Sequence, residues 1–83
     1  MIDEVLEERG NNYGDFTMNA IVTQGLNEHL HMGLNWNEIP ATHKEALEMI
    51  CHKMSRIVNG NSKYKDSWTD IIGYATLVEK ELV

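Results

Sequence analysis

Six side chains in this sequence have the types and spacing to act on a charged ligand. Glu45 and Glu48 stand three residues apart and Asp66 and Asp70 four apart, so each pair lies on one face of a helix. A hard divalent cation such as magnesium wants several carboxylate oxygens at one point, which two acid pairs on neighbouring helices can supply. Lys53 and Arg56 are one helical turn apart. At that spacing Arg can grip a phosphate bidentately while Lys acts as a point charge. The expectation is a magnesium site of Glu45, Glu48, Asp66 and Asp70, with Lys53 and Arg56 on the phosphates of a nucleotide-type ligand.

The same residues have ordinary uses. Thr42-x-x-Glu45 reads as a capping box, Asp66 or Ser67 is placed to cap the last helix, and helix dipoles favour acids in first turns. Lys53 or Arg56 could instead pair with Asp66 or Asp70 across two packed helices. Asp70 lies past the cap, so capping does not account for it. Other chemistry is weaker. His52 follows Glu48 by four residues, but no third ligand completes a zinc spacing. Cys51 has no paired His, and Asn59-Gly-Asn61 lacks the Lys-Ser/Thr of a phosphate loop.

The elements that must position these residues are all helical. Ile2 to Arg9 reads as a short helix ended by Gly10-Asn-Asn12, and Tyr13-Gly-Asp15 as a turn. Asp15 is placed to cap a second helix that runs to about Met32. A third helix follows Pro40 and ends at Asn59-Gly60; a fourth starts near Asp66 or Ser67. No strand pattern occurs. The expected fold is all-α, one domain over residues 1–83. It is a bundle of three to four helices in which the last two form an antiparallel pair, because the loop Asn61–Lys65 is short.

Helical periodicity predicts a core of Leu47, Ile50, Met54, Ile57, Trp68, Ile71, Ala75 and Val78, with Cys51 and Val58 on the same face. Lys53 falls on the border of that face. Gly73, in the middle of a helix, suggests close approach by a neighbour. Met18, Ile21, Val22, Leu26 and Leu30 give the second helix a wide apolar arc, more than one small partner helix needs. A chain of 83 residues also has a marginal core. A homo-oligomer, with a dimer favoured, is therefore expected to use part of that helix.

Charge narrows the partners. With a net charge of −6 and no basic stripe, duplex nucleic acid is not an expected partner. No apolar run is long enough to span a bilayer, no signal pattern opens the chain, and the lone Cys fits a reducing compartment. A cytoplasmic location is expected.

Three blocks carry a resemblance: Glu8-Arg-Gly-x-x-Tyr-Gly-Asp-Phe16, Glu45-Ala-Leu-Glu-Met-Ile-x-His-Lys-x-x-Arg-Ile57 and Asp66-Ser-Trp-x-Asp-x-x-Gly-Tyr-Ala75. In this order they resemble a family of small, functionally uncharacterised phage and prophage proteins, over most of the chain. That family is similar in turn to the MazG-like all-α NTP pyrophosphohydrolases. The resemblance implies magnesium held by Glu-x-x-Glu on one helix and Glu-x-x-Asp on the next, and cleavage of a nucleoside triphosphate to monophosphate and pyrophosphate. Glu45-x-x-Glu48 matches the first element and Asp70 the last acid of the second. Ser67 stands where that element needs Glu, with Asp66 beside it. This departure weighs against hydrolysis more than against binding. The leading expectation is a protein that binds a nucleotide or nucleotide-derived signal with weak or no turnover. The alternatives are an active magnesium-dependent pyrophosphohydrolase and an acidic interaction module that inhibits a host protein.

Overall fold

Four helices account for most of the chain in a computed structural model that describes residues 1–83. They are α1 (Ile2–Tyr13), α2 (Phe16–His31), α3 (Ala41–Asn59) and α4 (Lys65–Glu79), with a short 3-10 turn at Trp36–Glu38 between α2 and α3. The fold is all-α, a small helical bundle. No helix is long and apolar enough to cross a membrane.

Local rules set some helix ends and tertiary contacts set others. Asp15 caps α2 as expected, its Oδ2 accepting from the Met18 N–H at 3.0 Å. Gly10-Asn-Asn12 does not end α1, which runs on to Tyr13 and stops at Gly14, whose φ is 86°. The capping box at Thr42 does not form. Pro40 occupies the cap of α3, and Thr42 donates its hydroxyl to Glu81 Oε2 at 2.8 Å. Neither Asp66 nor Ser67 caps α4; Tyr64 holds that position and Asp66 lies in the first turn.

Long-range pairs give the helix directions. Thr42 and His43 meet Glu81, and Lys53 meets Asp70, so α3 and α4 are antiparallel. Thr23 meets Ser55 and Asn19 meets Asn59, so α2 is antiparallel to α3 on its other flank. α3 is therefore the middle helix of a layer. The end of α1 is pinned to the end of α3, where the Asn61 N–H donates to the Asn12 carbonyl at 3.0 Å.

Two flanks on one helix change what the core is made of. The buried residues are Ala46, Cys51, Asn19, Thr23, Lys53, Ser55 and Ser67, and the most enclosed are Ser55 and Ser67. Small side chains let helices approach closely, and their hydroxyls must then find partners. Ser55 does: its Oγ accepts from Thr23 Oγ1 at 2.8 Å and donates to the His52 carbonyl at 2.8 Å. The periodicity-based core needs correction on this point. Leu47, Met54, Val58, Trp68 and Ala75 are exposed, while Ile50, Ile57, Ile71 and Val78 are half-buried. The sequence pattern treats each helix as having one partner; α3 has two, and they straddle its apolar arc.

Two glycines permit the junction of α1 and α3. A Cβ on Gly14 would lie 2.5 Å from the Asn59 carbonyl oxygen, and one on Gly60 would lie 2.5 Å from the Tyr13 carbonyl carbon. Gly73 differs from expectation, since nothing lies within 4 Å of the Cβ it lacks. Gly14→Ala should cost about 1–3 kcal/mol, through a left-handed backbone and a clash that backbone cannot relieve. Gly73→Ala should stabilise by about 0.5–1 kcal/mol as an open mid-helix position. Urea unfolding of the two variants checks the opposite signs.

Candidate functional site

The expected site residues go to different neighbours. Lys53 is the buried cation of the α3–α4 seam: its side chain is 11% exposed and its Nζ lies 3.3 Å from Asp70 Oδ2. Asp70 is 48% exposed, so the pair has one foot in water. Glu48 turns to α2 instead, 3.7 Å from His31 Nε2, and that imidazole packs against Trp36 with ring centroids 4.7 Å apart. Glu45 and Asp66 are exposed. No three His, Cys, Asp or Glu side chains stand close enough to hold a metal ion. The four acids do not fit a shared magnesium in this arrangement.

Arg56 departs from Lys53 although one turn separates them. Its guanidinium lies 4.2 Å from the centroid of the Tyr13 ring, at the end of α1, and Arg9 from α1 lies 5.3 Å from the same ring. Tyr13 also stacks on Tyr64 at 5.5 Å. Hydrogen bonding to Tyr13, then to Asp66, pushes the Tyr64 hydroxyl pKa up to about 12, so Asp66 joins this cluster through a tyrosine. Stacking on an aromatic face fixes a guanidinium while leaving its edge N–H groups free to donate.

The two arginines line a cleft of about 660 Å³ between α1, α2 and α3. Tyr13, Phe16, Asn19 and His52 also line it. Asn19 is committed to the fold, donating to the Tyr13 carbonyl at 2.7 Å and accepting from Asn59 at 3.1 Å. Phe16, the one phenylalanine in the chain, stays 85% exposed at the cleft. His52 has a buried Nδ1 without a hydrogen-bond partner. Burial lowers its pKa from the ordinary 6.5, aided by the charges of Arg56 and Lys53. Cys51 is inert by comparison, since burial and the Glu48 charge raise its thiol pKa and keep it protonated.

Of the residues that line this cleft, the sequence singles out Arg56 as a candidate but not Arg9 or Phe16. Arg9 and Phe16 lie within the first of the three blocks quoted above, and that block was the available signal. Only the Gly14–Gly60 crossing brings it against α3.

Two outcomes follow from the charged groups. Asp70→Asn should destabilise by about 1–3 kcal/mol, less than for a fully buried pair because water reaches Asp70. Lys53→Met should be near neutral or stabilising, since the buried ammonium leaves with its desolvation cost. Chemical denaturation of both variants tests the contrast. His52 adds a pH dependence. Its folded pKa lies below the unfolded 6.5, so the unfolded chain takes the proton first. Its contribution should be intact above pH 6.5 and lost as pH falls from there towards the folded value. Below pH 6.5 the melting temperature of wild type should fall more steeply than that of His52→Gln, while above it the two pH profiles should run parallel.

Comparison with known proteins agrees with the span of these elements. No curated protein and no solved structure matches the chain. A family model described as a domain of unknown function (DUF6378) matches residues 2–81, from the start of α1 to just beyond the end of α4. The chain belongs to the DUF6378 family.

Proposed function

We propose that this protein binds a nucleotide or nucleotide-derived signal and does not hydrolyse it. Its ligand sits in the α1–α2–α3 cleft. Arg9 and Arg56 take the phosphates, and Phe16 offers a face to the base. The observation that carries the reading is the convergence of Arg9 and Arg56 on Tyr13 inside a cleft of about 660 Å³. That volume falls in the range of small-molecule sites, roughly 300–1,000 Å³. Two guanidiniums that both approach one tyrosine ring at the cleft make it electropositive, and an anion there accepts charge-assisted hydrogen bonds from them. Stacking on an exposed aromatic adds about 1–3 kcal/mol per base without requiring one particular base.

MazG-like ancestry, of phage type and cytoplasmic, is the proposed background, with the phosphate site displaced towards α1. Arg56 stays, Arg9 joins it, and Lys53 becomes a structural partner of Asp70. The hydrolase alternative needs Glu45, Glu48, Asp66 and Asp70 around one cation. Glu48 is engaged by His31 and Asp70 by Lys53, which favours binding over turnover.

Thermal shift and calorimetry against nucleoside mono-, di- and triphosphates and cyclic dinucleotides, with and without magnesium, test the proposal. A saturable ligand should raise the melting temperature. Arg9→Gln and Arg56→Gln should each weaken it by about 1.5–3 kcal/mol, on the order of 10- to 100-fold. Asp70→Asn should leave affinity unchanged once its own stability loss is subtracted. No binding at millimolar ligand, or equal binding by the double arginine variant, would overturn it. Magnesium-dependent release of pyrophosphate would restore the hydrolase reading.

A further inference from the structure

The layer of α2, α3 and α4 has two faces. α1 and the arginine cleft lie on one of them. At about 100° per residue, the strip of α3 between its two flanks on the other face carries Leu47, Met54 and Val58. Met18 from α2 and Trp68 and Ile72 from α4 fall on the same side. All six are exposed, from 38% at Met54 to 70% at Val58. Beside them an apolar groove runs between α3 and α4, lined by Ile50, Ala75, Val78 and Leu82 among others. Stable domains bury the apolar side of one layer against another layer. This chain supplies no second layer on that side.

From these observations we infer that the open face is covered by a second copy of the chain, face to face about a twofold axis. The chain exposes 6221 Å². A folded monomer of its mass, 9.5 kDa, is expected to expose about 5,000 Å², so the excess is roughly 1,200 Å². A standard interface takes about 800 Å² from each partner, which that excess accommodates. A self-complementary apolar patch meets itself across a twofold axis. Two copies with a net charge of −6 each repel overall, and the face they would share is apolar rather than acidic. The expected oligomer thus uses Met18 of α2 as one margin, with α3 and α4 providing the rest. This inference does not depend on the ligand in the cleft.

Sedimentation velocity of the full chain should give twice the 9.5 kDa mass at micromolar concentration. Val58→Glu and Ile72→Glu together should weaken association by at least about 100-fold, as expected for charges buried without partners. Leu34→Glu, at a position 99% exposed in the connection after α2, should leave the dimer intact. Because loss of the dimer could unfold the double variant, Val58→Cys offers a folded test. A short bis-maleimide should join two Val58→Cys chains and leave Leu34→Cys chains unjoined. A wild-type monomer at about 100 μM, or a dimer unaffected by the paired glutamates, would overturn the inference. So would a monomer that floats with zwitterionic phospholipid vesicles, which would give the face to a lipid surface.

Discussion

Everything in this fold depends on α3 being gripped from both sides. A helix with two close neighbours must present small or hydrogen-bonded side chains along both seams. Ser55 serves that need towards α2, and Ala46 and the Lys53–Asp70 pair towards α4. The cost is that bulky apolar residues are displaced from the seams. Leu47, Met54 and Val58 lie between the seams, where one chain has nothing to put on them. Along the α2 seam the polar groups pair with one another: Thr23 donates to Ser55, Ser55 to the His52 carbonyl, and Asn59 to Asn19. Such bonds add little net energy each but are expensive to leave unmade, so they fix the helix register more than they stabilise it.

The other side of the layer follows from the same placement. With α2 and α4 on its flanks, α3 turns His52 and Arg56 towards α1. The Gly14–Gly60 crossing then sets Tyr13 under the Arg56 guanidinium. Arg9 comes from the same short helix. The cleft is therefore a product of the α1–α3 junction rather than of the α3–α4 hairpin. That is why the acid pairs of the hairpin and the arginines of the cleft can serve different purposes. Asp70 neutralises a buried cation, and the arginines remain available to an anion.

Features governed by neighbours in the chain were legible from the sequence. Asp15 as the cap of α2, Pro40 at the start of α3, Asn59-Gly60 at its end and the all-helical class all follow from local chemistry. Features governed by distant partners were not. Thr42 looked like half of a capping box because Glu45 stands three residues on, yet its hydroxyl finds Glu81 from the far end of the chain. Lys53 could be read as a phosphate ligand or as a partner of Asp66 or Asp70, and only the packing of α4 on α3 selects Asp70. Arg56 could be named as a phosphate-binding candidate, but its companion Arg9 lies on another helix, and no spacing within one helix could reveal that pairing. The core was misassigned for the same reason, since a single apolar arc on a wheel does not say how many helices share it.

One chain forms a helical layer of α2, α3 and α4 whose apolar side needs a second copy. The dependence of the melting temperature on protein concentration tests it most directly. If folding is linked to association, the midpoint must rise steadily with the logarithm of concentration between about 1 and 100 μM. A midpoint that stays constant across that range, for a chain that is fully helical throughout, would contradict the claim. It would mean that a lone layer with Leu47, Met54, Val58, Trp68 and Ile72 in water is stable by itself.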